Sequence, residues 1–144
     1  MLKLKRKASL LKFERTALIK ITNLDILDTA LTHSSYANEK KMPLNRSNER
    51  LEFLGDSVLG LVTASHLFDQ FKNWQEDKLT QMKSIVVSEP ILAKIGREIN
   101  IGEYLLLGRG ENRMGGREKP SIVADAVEAV IGALFVDAGY AEAE

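Results

Sequence analysis

Apolar residues recur at steps of three and four through most of the chain, and no run alternates with period two over a useful length. The pattern predicts helices rather than strands. The longest helical segment runs from Asn48 to Phe71, with Leu51, Leu54, Val58, Leu61, Val62 and Phe68 as one apolar stripe. Ser47 or Asn48 is placed to cap its start, and Glu49 and Glu52 put negative charge where the helix dipole favours it. Ahead of it the pattern predicts a basic, frayed tail over 1–9 and a helix over about 10–21. A second short helix follows from Leu24 to about Thr32, capped by Asn23 and ended by His33-Ser34-Ser35-Tyr36. Residues 37–45 read as a polar loop. After Phe71 come a turn holding Trp74, a helix over 78–87, and a helix capped by Ser88 with Pro90 in its first turn. In that helix Ile91, Leu92, Ile95 and Ile99 are expected to face inward. The segment 101–107 reads as helical or irregular, and 108–120 as a Gly-rich loop. The last long helix opens at Pro120 or Ser121 and runs to about Asp137, stopped by a left-handed Gly139. With no repeat, low-complexity stretch or linker, the expected fold class is all-α in one domain.

The long helix is not built for packing alone. Glu52 and Asp56 stand four residues apart and project from one side, where like charges repel. Gly55 and Gly60 each cost roughly 1 kcal/mol relative to Ala inside a helix. On this helix alone, a solvated edge and a functional site remain equally open readings.

Composition narrows the alternatives. The 144 residues, 44% hydrophobic and 28% charged, suit an ordinary globular domain with a real core. The absence of Cys removes disulfides and thiolate metal sites. His33 and His66 are too few and too far apart for a zinc site. His33, near a helix end, reads as a structural hydrogen-bonder, His66 as a surface residue and Trp74 as a packing plug. The formal net charge is zero, but basic residues gather at Lys3, Lys5, Arg6, Lys7 and Lys12, and again at Arg109, Arg113, Arg117 and Lys119. The first run reads as a solvated tail with no site. No signal-peptide core or membrane-length apolar run is present, so no membrane partner and a cytoplasmic location are expected.

The last helix repeats the anomaly. Asp125 and Glu128 are the only ionisable residues between Ser121 and Val136, three apart on one face, among Ala124, Ala126, Val127, Ala129 and Val130. A helix apolar nearly all round is buried, and buried carboxylates are costly unless paired or bound to a metal. No Lys or Arg lies within a turn of this pair. Two such helices predict a cage of four carboxylates, whose oxygen ligands select Mg²⁺, with Mn²⁺ as a substitute, over zinc. A di-iron bundle is the competing use, but it brings Glu-x-x-His motifs that neither helix has. Carboxylate-held Mg²⁺ is suited to phosphoryl transfer, activating a water for in-line attack. The loop G-R-G-E-N-R-M-G-G-R-E-K-P offers backbone N–H groups and Arg side chains to phosphates, with a plain solvated loop as the alternative. Its Gly spacing is no dinucleotide fingerprint, so no nucleotide cofactor is expected.

Asn48-Glu49-Arg50-Leu51-Glu52-Phe53-Leu54-Gly55-Asp56 closely resembles the signature helix of the ribonuclease III family. Collinear matches are His33-Ser34-Ser35-Tyr36 with Asn38-Glu39, Leu79-Thr80-Gln81-Met82-Lys83, Gly108-Arg109-Gly110-Glu111, Gly115-Gly116-Arg117, and Ser121 through Ala129. The resemblance covers about residue 10 to the end. It implies the helical, dimeric endonuclease domain over 10–144, cutting double-stranded RNA with Mg²⁺ to leave 5′-phosphate and 3′-hydroxyl ends in rRNA and other RNA processing. It further implies that Glu52, Asp56, Asp125 and Glu128 are the catalytic metal ligands. Glu49 and Glu76 match acidic residues lining the cleavage valley, and Phe53 matches an aromatic knob that enters the partner subunit of a homodimer. Asp77 stands where the family often has Gly. Bacterial members continue into a double-stranded-RNA-binding domain absent here, so the expectation is a catalytic domain truncated from a longer enzyme. The rival reading is an idle dimeric RNA-binding scaffold, which would have no reason to keep all four carboxylates.

Overall fold

The computed structural model describes residues 2–144, in which ten α-helices and one 3-10 turn are joined by short connections. The expected all-α class holds. Extended pairing among the described residues is limited to one parallel bridge between Thr32 and Leu106. Helix α9 (Pro120–Ala138) is the axis of the fold. Its Ile122, Val123, Ala126, Val127, Ala129, Val130 and Ala133 are buried, as befits a helix apolar on nearly every side. Helix α4 (Glu49–Gln70) lies along it, with α6 (Glu89–Glu98), α2 (Leu24–Ala30) and α10 (Tyr140–Ala143) on its other sides.

Two glycines decide how α4 meets α9. A Cβ at Gly55 would collide with the Glu128 carbonyl oxygen, and one at Gly132 with the Leu51 carbonyl oxygen. The helices therefore cross backbone to backbone, which only glycine permits. Gly60 has no such neighbour; the Lys83 side chain lies 3.8 Å from where its Cβ would be. The inward face of α4 is Gly55, Val58, Thr63 and Leu67, whereas Leu61 and Phe68, expected in the stripe, are 59% and 71% exposed. Rotating them outward is the consequence of placing Gly55 at the crossing.

Several boundaries differ from the sequence pattern. Helix α1 spans Leu4–Ala17, so most of the expected tail is helical. Leu10 and Phe13 are fully buried, and Arg6 donates to Asp28 Oδ1 at 2.6 Å and to the Tyr104 carbonyl at 2.7 Å, which ties down the basic end. The helix stops before 21 because Leu18 is left-handed, at φ 56°. The buried Glu14 carboxylate then accepts the Ile21 N–H at 2.8 Å.

Asn23 caps α2 as expected, accepting from the Asp25 N–H. His33 is a structural hydrogen-bonder, but it starts a helix rather than ending one: it caps α3 (Ser34–Glu39), which occupies part of the expected polar loop. Helix α5 begins at Glu76 and runs to Val86. Ser88 and Asn48 hold N-cap positions without a side-chain capping bond.

In α6 the inner face is Leu92, Ala93 and Gly96, while Ile91 and Ile95 are outside. Gly96 lies so close to Val123 and Val127 that it fixes the rotation of α6 on α9. The short α7 spans Ile101–Tyr104, and α8 (Arg109–Arg113) adds a helical turn to the Gly-rich loop. Gly139 ends α9 with φ 87° and ψ −172°, a positive φ that favours glycine but with ψ outside the left-handed helical region. Trp74 stacks on Phe71 with centroids 4.0 Å apart, a packing role, and His66 is exposed. Among the described residues no helix is long and apolar enough to cross a membrane.

Candidate metal centre

Glu52 leaves α4 one turn before the Gly55–Gly132 crossing, and Asp125 and Glu128 leave α9 on the side facing it. Carboxylate oxygens of Glu52, Asp125 and Glu128 all lie within 4.8 Å of one another, and each residue is partly buried. Asp56, expected as the fourth wall of the cage, is exposed and outside this triplet. It sits one turn further along α4 and acts on Glu128 through its charge.

None of the described Lys or Arg side chains pairs with these carboxylates. Burial pushes Glu128 up to about 7, and the negative charges of Asp56, Glu52 and Asp125 add to it. Burial also raises Glu52, reinforced by Asp125, Glu49 and Asp56. Asp125 is raised by burial and by Glu89, with His33 acting in the opposite direction. Three close carboxylates that resist ionising together, without a cation to balance them, form a donor set suited to a hard divalent cation.

The outer residues divide. Glu49 stands beside Glu52 and accepts from Ser47 Oγ at 3.1 Å. Glu76 is exposed at the start of α5, accepting from Thr80 Oγ1, and is not among the converging groups. Arg117 donates to the carbonyls of Gly102 and Leu105 at 2.8 and 2.7 Å and to Asn112 at 2.8 Å, so it braces the loop against α7. Arg109 and Lys119 have acidic neighbours in Glu39 and Glu111, at 3.6 and 3.8 Å. Arg113 is exposed and makes no ion pair or side-chain hydrogen bond among the described residues.

Sequence reasoning missed Glu89 and the strap formed by α3. Ser35 Oγ accepts the Gly108 N–H at 2.9 Å and bonds His33 Nδ1 at 2.8 Å, and Glu39 Oε2 accepts the Arg109 N–H at 2.7 Å. The bonds to Gly108 and Arg109 join residues 73 and 70 positions apart, which no local pattern announces.

Phe53 is 78% exposed beside a cleft of about 740 Å³ lined by Ile26, Thr29, Leu51, Leu54 and Val136.

Residues 23–144 match the family model described as Ribonuclease-III-like. The chain is 49% identical over 138 residues to the Ribonuclease 3 of Borreliella burgdorferi, covering 96% of this chain and 56% of that protein. It is 50% identical over 140 residues to that of Treponema denticola, covering 97% and 56%. The chain thus spans about half the length of the curated relatives it matches. A nuclease domain of ribonuclease III from Campylobacter jejuni, described for structural flexibility in its dimer-forming region, superposes with a TM-score of 0.84 at 39% identity. That match covers 92% of this chain and 88% of the other. By sequence and by fold, the chain belongs to the ribonuclease-III-like family.

Proposed function

We propose that the chain is the nuclease domain of a divalent-metal-dependent endoribonuclease that hydrolyses double-stranded RNA, leaving 5′-phosphate and 3′-hydroxyl ends. The observation that carries this reading is the meeting of Glu52, Asp125 and Glu128 without a cationic partner. These three, with Asp56 beside Glu128, would hold Mg²⁺ or Mn²⁺. The bound cation supplies a Lewis acid for the phosphoryl oxygens and lowers the pKa of an attacking water. The protein's own contribution is a rigid floor: the α4–α9 crossing fixes the carboxylate spacing, and the strap from α3 fixes the Gly-rich loop. An idle scaffold would derive nothing from holding four acidic groups on an apolar crossing. A gel assay of long duplex RNA, single-stranded RNA and duplex DNA tests the substrate class. Cleavage of the first alone is expected, since an A-form duplex is read by shape and 2′-hydroxyls; equal cutting of duplex DNA would contradict it.

Stability should report the same site. An unfolded Glu titrates near about 4.3, whereas Glu128 in the folded chain titrates at about 7. The folded state therefore binds this proton more tightly. Below the lower value both states are protonated and folding carries no penalty. Between the two values folding becomes less favourable as pH rises, and above the higher one the penalty is complete. Mg²⁺ should accordingly raise the melting temperature more at pH 8 than at pH 5. Equal shifts at both would count against a shared carboxylate site.

The functional unit we infer is a two-fold homodimer. Exposed Phe53 and the adjoining cleft lie on one face, so a two-fold axis lets each subunit place its knob in the other's cleft. Exposed Leu61, Phe68, Phe71 and Val136 extend the apolar surface available for burial. Phe53→Ala should shift the sedimentation equilibrium toward monomer by roughly 2–4 kcal/mol, the range for a buried aromatic anchor. A parent protein that sediments as a monomer at micromolar concentration would overturn the dimer.

A further inference from the structure

The first twenty residues hold seven of the chain's 20 basic side chains and one acid, Glu14. Glu14 is buried and accepts the Ile21 N–H, so it screens little of that charge. Lys3 at the N-cap and Lys5, Lys7, Lys12 and Arg15 of α1 are exposed, and none pairs with an anion among the described residues. No acid occupies the first turn of α1, so the positive end of the helix dipole adds to theirs. This is no loose tail: Leu10 and Phe13 are fully buried, and Arg6 is bound to Asp28 and Tyr104. Asp28 also faces Arg46 at 3.8 Å, three residues before Glu49, so α1 is anchored to the segment that starts the catalytic helix.

We propose that the face of α1 opposite Leu10 and Phe13, which carries Lys5, Lys12 and Arg15, is an accessory contact for the phosphate backbone of the RNA duplex, apart from the carboxylate centre. The inference rests on the duplex-RNA reading above. A domain with an acidic centre and zero formal charge needs cations to hold a polyanion. The Gly-rich loop supplies few, because Arg117 braces α7 while Arg109 and Lys119 face acids. Among the described residues Arg113 is its one unpaired cation, whereas α1 carries several, fixed in a helix that needs no ordering on binding. Such a contact reads no sequence and adds affinity that falls with salt. Leu4, Leu11 and Leu18 are also exposed on this helix or at its end, which is what an anionic lipid surface would use. Lipid binding is therefore the alternative outcome of the test.

The test is the salt dependence of duplex binding, measured in the Glu128→Gln background so that the RNA stays intact. The chain is compared with and without Lys5→Gln, Lys12→Gln and Arg15→Gln. Each basic side chain that neutralises a phosphate adds about 0.9 to the steepness of log affinity against log salt, so losing three lowers it by up to about 2.7. We expect a loss of at least 2 in that slope, which amounts to binding weaker by roughly a few hundredfold at 50 mM salt, and an unchanged melting temperature. A fold defect would move the last quantity, not the slope. Normal binding by the background chain with an unchanged slope overturns the α1 contact alone. Absence of duplex binding by the background chain overturns the functional reading and this contact with it. Loss of binding to phosphatidylserine vesicles, with the RNA slope unchanged, would assign the face to lipid and overturn the proposal.

Discussion

Replacing Glu128 with Gln is expected to reduce cleavage of duplex RNA by at least a thousandfold while leaving the fold intact. Glu128 is partly buried between α4 and α9, with the carboxylates of Glu52 and Asp125 within 4.8 Å and Asp56 nearby. Gln keeps the shape but removes one negative donor, which weakens cation binding and misplaces the attacking water. The same change removes a carboxylate that burial first, and its acidic neighbours second, raise to about 7. The metal-free variant should therefore be as stable as the parent or more so at pH 8. Loss of activity with retained stability separates a ligand from a packing residue. Near-parental cleavage under limiting Mg²⁺ would remove Glu128 from the site.

The second large effect belongs to a residue with no functional group. Gly55→Ala forces a methyl into the Glu128 carbonyl, and Gly132→Ala does the same against Leu51. Backbone atoms cannot step aside, so α4 and α9 must separate. Overpacking at such a contact costs up to about 3 kcal/mol, at times more. Separation also pulls Glu52 away from Asp125 and Glu128, so cleavage should fall with stability. Gly60→Ala is the matched control on the same helix: its Cβ meets only the Lys83 side chain at 3.8 Å. That change should stabilise the chain by roughly 1 kcal/mol through helix propensity. Denaturant midpoints for the three variants check this, and a Gly55→Ala midpoint equal to the parent's would contradict the crossing.

The same glycines show how far the sequence could be read. Periodicity announced α4 and α9, and the stranded acids Asp125 and Glu128 in an apolar helix pointed to a site. Gly55 counted in the sequence as a cost to the helix; its close neighbour is the backbone of α9. The stripe containing Leu61 and Phe68 is a true helical repeat, but periodicity does not say which apolar face turns inward. Here the glycine contact decides it, as Gly96 does for α6, where Ile91 and Ile95 point outward. The basic start of α1 read as tail because charge hides a helix whose inner face rests on Leu10 and Phe13. Its anchor, Arg6 to Asp28, spans 22 residues and has no local signal. Spacing made Asp56 an equal of Glu52, but the next turn of α4 places its side chain outside the triplet.

The central claim is that the α4–α9 carboxylates cut duplex RNA through a divalent cation. The most direct measurement follows a long end-labelled RNA duplex incubated with the protein, then with chelator, then with Mg²⁺ restored, while the new ends are identified. The account predicts fragments with 5′-phosphate ends that cease to form on chelation and resume on Mg²⁺ addition. Cleavage that continues in chelator, or a duplex left intact at saturating Mg²⁺ and low salt, would contradict it.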